Sequence, residues 1–488
     1  MGGELVSFGP RTRSDILAAI TNFSISGLFE TRDVELVLED NALILVGPNG
    51  IGKSTVANIF YLFLSRQWVR LLEYRFSRLS VTVGDVEIIA KREDISGIVE
   101  FQQAFTSLPS SSRYKIYFER LSRHNLLEPF FDQRQWSQSV RNTLAAALDM
   151  PVEELTQFRR SLVRRFSTEN DLFSAGRLQI ERQLSELVGS RLLYLPTYRR
   201  IEKDIKDIFP DFEKRMRQFE GLSGWSEMAK SRSGTYYVEL VSFGMEDVRR
   251  NIENATRSLR DYSLAQYNNL SGSYLRDVIR GRADRFNKRS IDKLTDENIV
   301  SILDRVSEDA LSKADKVHLL VKIQAIQEKD KSELTSNENY LAHYFSRLVS
   351  ATRDIEGRER NISSFIDVCN QYLQPGKKFV YDEISFRLSI LDEQGNNIDL
   401  SMLSSGEKQI VSVFSNLYLD DHADQIMVID EPELSLSVRW QKKFLSDIVL
   451  SERCKFVLAV THSPFIYDNE LRPYAVDLRR LTQIRSEK

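Results

Sequence analysis

Apolar and polar positions change period several times along this chain, and each change predicts an element. Between residues 22 and 46 two alternating segments, Phe23/Ile25 and then Val34/Leu36/Leu38, predict a small antiparallel sheet. The unbroken run Ala42-Leu43-Ile44-Leu45-Val46 that follows predicts a strand buried on both faces. From 53 to 78 the pattern is helical, with Val56, Ile59, Phe60 and Phe63 on one face. Residues 80–91 return to strand character around a Gly84-Asp85 hairpin turn. From about residue 100 to 375 the chain is mostly helical in pattern, broken by polar or Gly/Ser stretches at 107–113, 221–234 and 271–281. Leu341, Phe345, Leu348, Ile355, Ile362, Phe365 and Cys369 recur at three-, four- and seven-residue spacings, which predicts a long amphipathic helix over 337–373, packed on its own domain. Two apolar islands inside this region, 191–195 and 236–241, read as strands, and the first is a candidate to return to the amino-terminal sheet. Beyond Lys377 alternation resumes at Ile384, Phe386, Leu388 and Ile390 around a turn at 392–397.

Composition narrows this picture only a little. With 488 residues, 42% hydrophobic and 28% charged, the chain can bury one large core or two to three ordinary ones. A net charge of −3 argues against a histone-like polybasic protein but leaves room for a local basic groove. Cys369 and Cys454 are too few for a disulfide scaffold and read as buried thiols in a reducing compartment. The first 18 residues carry Glu4, Arg11, Arg13 and Asp15 and no apolar core of a secretory signal, and no run approaches the length needed to cross a bilayer. The expectation is a cytoplasmic protein with no membrane partner.

Chemistry enters at the end of the buried strand. Gly47-Pro48-Asn49-Gly50-Ile51-Gly52-Lys53-Ser54 is a complete Gly-x-x-x-x-Gly-Lys-Ser phosphate loop, with Thr55 following it into the helix. Small residues let successive backbone N–H groups turn onto the β-phosphate, and the helix after them presents its positive end to the anion. Lys53 then reaches the β- and γ-phosphates, while the Ser54 hydroxyl ligates Mg²⁺. The ligands expected from the loop are therefore a nucleoside triphosphate and Mg²⁺, and the resemblance given next makes that triphosphate ATP.

Four further motifs follow in order: Leu403-Ser404-Ser405-Gly406-Glu407-Lys408-Gln409 opening a helix after a strand; the apolar strand Ile426-Met427-Val428-Ile429 ending in Asp430-Glu431; Pro432-Glu433-Leu434-Ser435-Leu436-Ser437; and Val457-Leu458-Ala459-Val460-Thr461-His462. This order resembles the ABC-class ATPases, in particular the branch with the SMC, RecF and OLD-type proteins. The resemblance covers about 1–95 and 377–488 well and the middle poorly. It implies an α/β fold: a P-loop ABC-type head, a mixed sheet flanked by helices, with a large mainly helical insertion between the phosphate loop and the signature. The domains expected are 1–100 and 376–488 as the two halves of the head, and 101–375 as the insertion.

By that resemblance Asp430 and Glu431 are the Walker B pair, and His462 the switch histidine. Asp430 at a strand end suits a water of the Mg²⁺ shell, Glu431 can polarise the attacking water, and His462 can donate to the γ-phosphate. Ser404, Ser405, Gly406 and Glu407 are the signature element, where helix N–H groups and a serine hydroxyl make a second anion site. In the family this element meets the γ-phosphate held by another subunit, which implies a homodimer or higher homo-oligomer. The sequence departs from OLD-type relatives at Leu434-Ser435-Leu436-Ser437, which lacks the His-Pro that often ends the D-loop. Gln102 and Gln103 are candidates for the Q-loop.

Lys53 and Ser405 lie 352 positions apart, much farther than in transporter ATPases, and sustained heptads of an SMC-length arm are absent. Residues 195–202 and 243–248 resemble stretches in the ATPases of the PARIS and Septu antiphage systems, whose partner is a separate effector nuclease. The function implied is a nucleotide-dependent dimer that senses infection and holds or releases that effector. Two alternatives stay open: a RecF/SMC-like repair ATPase, for which arginines at 159–160, 164–165, 199–200 and 276–289 could contact nucleic acid, and a nucleotide-gated scaffold with negligible turnover.

Overall fold

The computed structural model describes residues 20–38, 40–106, 112–113, 116–117, 120–121, 130, 136–166, 180–181, 183–184, 190–196, 237–239, 245–282, 286, 288–306, 308, 311–420 and 424–485. The amino-terminal segment, 107–111, 197–202, 221–234, the flanks of the island at 236–241, residues 243–244 and part of the arginine cluster at 276–289 lie outside the described residues. Thirteen described strands follow in order: β1 (Ile20–Leu28), β2 (Arg32–Val37), β3 (Ala42–Val46), β4 (Arg78–Val83), β5 (Val86–Lys91), β6 (Arg191–Leu195), β7 (Tyr237–Glu239), β8 (Lys377–Asp382), β9 (Arg387–Asp392), β10 (Gln425–Asp430), β11 (Cys454–Val460), β12 (Ala475–Asp477) and β13 (Thr482–Ile484). The chain forms two compact units, 1–243 with 422–488, and 244–421.

The first unit is an α/β structure in which the antiparallel and parallel parts of the expected mixed sheet form two separate sheets. One has strand order β13-β2-β1-β4-β5 and is antiparallel throughout. The other has order β12-β3-β11-β10-β6-β7 and is parallel throughout. Sequence pattern explains the division. β1 and β2 alternate, burying Phe23, Ile25, Val34 and Leu36, as suits strands with one wet face. β10 is buried at all six positions and β11 at six of seven, the unbroken apolar type that parallel sheets covered on both faces require. The island at 191–195 is β6, paired with β10 through Met427 and Leu193.

Helix Lys53–Leu64 lies in this unit's core, with the Phe60 ring edge-on to Phe23 at 5.1 Å between centroids. The helical stretch expected over 53–78 ends sooner. The chain turns at 65–67, where Arg66 adopts a φ of +59°, makes one short helix (Trp68–Leu71) and enters β4 at Arg78. Apolar spacing alone carries no mark of such a turn.

In the second unit the long helix appears as Ser336–Leu373, with Phe345, Leu348, Ile355, Ile362, Phe365 and Cys369 buried. Helix Glu246–Ile279 packs against it. Strand β9 begins only at Arg387, so Ile384 and Phe386 belong to the β8–β9 turn, where Phe386 has a φ of +55°. Beneath this turn Arg305 donates to Glu359 at 2.8 Å, both side chains under 10% exposed, with Glu383 at 3.0 Å. Burial pushes the Glu359 carboxyl above its ordinary value, against the pull of Arg305. Both cysteines are buried and unpaired with each other, and burial pushes the Cys454 thiol up to about 12, so neither is a reactive thiolate. Among the described residues no helix is long and apolar enough to cross a membrane.

Candidate nucleotide site

Parallel register brings three strand ends level. Asp430 pairs with Val460 and Val460 with Leu45, so the turns leaving β3, β10 and β11 open at one carboxyl edge of the sheet, the edge at which open α/β sheets place their ligands. The turn after β3 is the phosphate loop. Gly50 and Gly52 have φ of +79° and +100°, a region that side-chain-bearing residues rarely adopt, and a Cβ at either would meet no atom within 4 Å. Open space therefore lies beside the loop backbone at both glycines. Gly52 is also the N-cap of helix Lys53–Leu64, so the loop leads into the positive end of that helix.

Lys53 is 4% exposed, and its Nζ donates to the carbonyls of Gly47 at 2.9 Å and Pro48 at 3.0 Å. Burial pushes its pKa below the ordinary lysine value, while Asp430, Glu431, Asp477 and Glu433 pull it back. Four carboxylates thus act on the buried ammonium against the cost of its burial. Ser54 Oγ donates to Asp430 Oδ1 at 2.9 Å, joining residues 376 positions apart. Glu431 follows with a φ of +52°, its N–H donating to the Val460 carbonyl at 2.8 Å. A left-handed glutamate costs on the order of 1 kcal/mol or more, and such residues cluster at functional sites. His462, two residues beyond β11, is exposed.

The signature element lies in the second unit. Helix Ser405–Tyr418 is preceded by the 3-10 turn Leu400–Met402 rather than directly by a strand. Its N-cap is Ser404, whose hydroxyl accepts from the Glu407 N–H while Ser404 N–H donates to Glu407 Oε2 at 2.6 Å. The hydroxyl at the cap thus already accepts one bond, and Ser405, at the first helical position, is exposed. Gly406 is buried. Burial pushes the Glu407 carboxyl up, but Lys377 at 2.8 Å and the Ser404 amide outweigh it and leave it below the ordinary glutamate value. Gln102 and Gln103 fall on helix Arg92–Thr106, with Gln103 exposed.

A family model for the AAA ATPase domain (AAA_15) matches residues 19–467, which takes in the loop, both carboxylates and His462. The chain belongs to this AAA ATPase family. No curated protein matches it. Among solved structures it is similar to the Smc head domain with an extended coiled coil bound to the C-terminal domain of ScpA, from Pyrococcus furiosus, at 11% identity over 96% of each chain with a TM-score of 0.31. It is similar also to the Smc head domain with a coiled coil and joint from Pyrococcus yayanosii, at 13% identity over 96% of this chain and 97% of that one, with a TM-score of 0.28. Scores this low carry no structural argument, so the assignment rests on the family match.

An AAA ATPase domain binds nucleotide and typically a divalent metal, and the residues here suit Mg²⁺. Ser54 and Asp430 offer hard oxygen donors already within hydrogen-bond reach of each other. Mg²⁺ takes few direct protein ligands and keeps waters and phosphate oxygens, so two such donors suffice. Asp430→Asn removes the charge but not the size. We expect it to raise the Mg²⁺ concentration for half-maximal ATPase activity about tenfold or more, measured by titrating Mg²⁺ at fixed ATP; an unchanged midpoint removes Asp430 from the metal site.

Three residues near the loop carried no role in the sequence reading. Arg32 Nη1 donates to the Ile51 carbonyl at 3.1 Å, bracing the loop from β2. Asp477, at the end of β12, would lie 3.1 Å from a Cβ on Gly47, and Arg479 holds its carboxyl down to about 2. Glu433 binds the residues beyond β11. β12 is three residues long, too short for a periodicity to reveal, whereas Glu433 stood inside a quoted motif.

Proposed function

We propose that this chain is an ABC-class ATPase that closes into a homodimer around ATP, hydrolyses it slowly, and uses the nucleotide state to hold or release a separate effector, in the cytoplasm, in defence against phage. The observation that carries the ATPase part is the clasp of Ser54 and Asp430 beside a left-handed Glu431, at the strand edge where the phosphate loop opens. Lys53 would bind the β- and γ-phosphate oxygens, and Ser54 with Asp430 would hold the metal ion. Bound there, Mg²⁺ supplies neutralisation of phosphate charge. The Glu431 carboxylate accepts a proton from water as that water's oxygen bonds to the γ-phosphorus and the bond to the ADP oxygen breaks. His462 donates a hydrogen bond to the γ-phosphate.

Dimer closure rests on Ser405 and the exposed N-terminus of helix Ser405–Tyr418, an anion site for a γ-phosphate held by another copy. A nucleotide that binds only the closed dimer contributes about 2.7 kcal/mol per site at 100 times its Kd, and that contribution goes when the γ-phosphate is lost. The effector and defence parts rest on the sequence resemblance. Light scattering of the purified chain should show a dimer with ATP and Mg²⁺ and a smaller species with ADP, and tagged protein drawn from its host should bring nuclease activity with it. ATPase activity stimulated by duplex DNA in a salt-dependent way, without a nuclease, points instead to the repair ATPase.

A further inference from the structure

The turn after β10 and the segment after β11 are joined by side chains to which no role has been given. Glu433 Oε1 accepts from the His462 N–H at 2.9 Å, and its Oε2 accepts from the Thr461 hydroxyl at 2.8 Å. Thr461 is 1% exposed, and its hydroxyl accepts in turn from the Ser463 N–H at 3.0 Å. A second bridge runs from helix Val438–Val449. Gln441 Nε2 donates to the Leu436 carbonyl at 2.9 Å, and Gln441 Oε1 accepts from the Ser463 hydroxyl at 2.7 Å. One carboxylate and one carboxamide thus fix both sides of His462 to the turn 433–436.

That turn is itself tightly wound. Glu431 and Ser435 both have left-handed backbones, and Leu436 N–H donates to the Glu433 carbonyl at 3.1 Å. Leu434 and Ser435 at its tip are exposed, as is His462. Two exposed groups on separate loops are therefore mounted on one hydrogen-bonded block. A carboxylate accepting two short bonds holds the backbone beside His462 more firmly than a neutral group could, since bonds to an ionised acceptor are about twice as strong as neutral ones.

We propose that Glu433, supported by Gln441, is a positioning residue that locks His462 and the exposed Leu434-Ser435 turn into one unit, so that His462 meets the γ-phosphate only when that turn is in place. This rests on the ATPase reading above.

Glu433→Gln keeps size but cannot accept from both donors, and Gln441→Leu removes the other bridge. Each is expected to lower kcat about 10- to 100-fold, the scale set by losing the group that orients a reacting side chain, with KM for MgATP within about twofold of wild type. His462→Ala should fall as far, and Glu433→Gln with His462→Ala should fall no farther than His462→Ala alone. Tm measured on each variant keeps a folding defect apart. Wild-type kcat in a folded Glu433→Gln or Gln441→Leu protein overturns the proposal, as does wild-type kcat in His462→Ala, or losses that multiply in the double variant. Glu431→Gln assayed alongside separates the two readings: if it hydrolyses ATP at the wild-type rate, the ATPase mechanism has failed. If it is inactive while Glu433→Gln is fully active, only the positioning role is lost.

Discussion

Glu431→Gln should bind ATP within a few-fold of wild type and release phosphate about 10²- to 10⁴-fold more slowly, the contribution usual for a general base. Glutamine keeps the length and the hydrogen-bonding end of the side chain but cannot take a proton from water. The left-handed backbone of Glu431 and its N–H bond to Val460 do not depend on the carboxyl, so the fold should be unaffected. The bonds of Lys53 to the loop and of Ser54 to Asp430, where the proposed nucleotide and metal would sit, are left in place. On the proposed mechanism, in which hydrolysis releases the partner subunit, the variant should accumulate as an ATP-bound dimer, visible as a doubled mass by light scattering that persists after free ATP is removed. Phosphate release at the wild-type rate takes the base away from Glu431.

Lys53→Ala and Ser405→Arg should each abolish turnover on their own, yet a one-to-one mixture of the two proteins should recover a substantial part of it. The first loses the ammonium that binds phosphate, and the second places a bulky cation at the exposed first position of helix Ser405–Tyr418. In a mixed dimer one composite site takes its phosphate loop from the Ser405→Arg protomer and its signature from the Lys53→Ala protomer, so neither lesion lies in it. Random pairing makes half of all dimers mixed, each with one intact site, so recovery of roughly a quarter of the wild-type rate is expected where the sites act independently. Activity of the mixture no greater than the sum of its parts would show that each site is completed within a single chain, and the proposed dimer would fall with it.

The phosphate loop was legible because its chemistry is local: three glycines, a lysine and a serine at fixed offsets after an apolar strand and before a helix, within 14 residues. The strand ends at Asp430 and Val460 and the helix Ser336–Leu373 were legible for a similar reason, since burial on two faces and burial on one stripe leave different periods in the chain. Turn positions were less so. The end of helix Lys53–Leu64 and the shift of the β8–β9 turn onto Ile384 and Phe386 both involve non-glycine residues with positive φ, Arg66 and Phe386, a conformation that those residue types do not announce. At the signature, capping geometry decided that the Ser404 hydroxyl takes the Glu407 N–H and that Ser405 is exposed, neither of which the residue types announce.

By itself, then, the order of residues determined which groups could bind phosphate, metal and water, because those choices depend on side-chain chemistry and short spacings. Tertiary structure alone decided which of them meet. Strand order β3-β11-β10 levels three loops, the first of them hundreds of positions from the other two, brings Ser54 to Asp430 and ties Glu433 to the residues around His462. Such contacts follow from how strands are ordered across a sheet, and no pattern confined to one segment records its neighbours in the sheet.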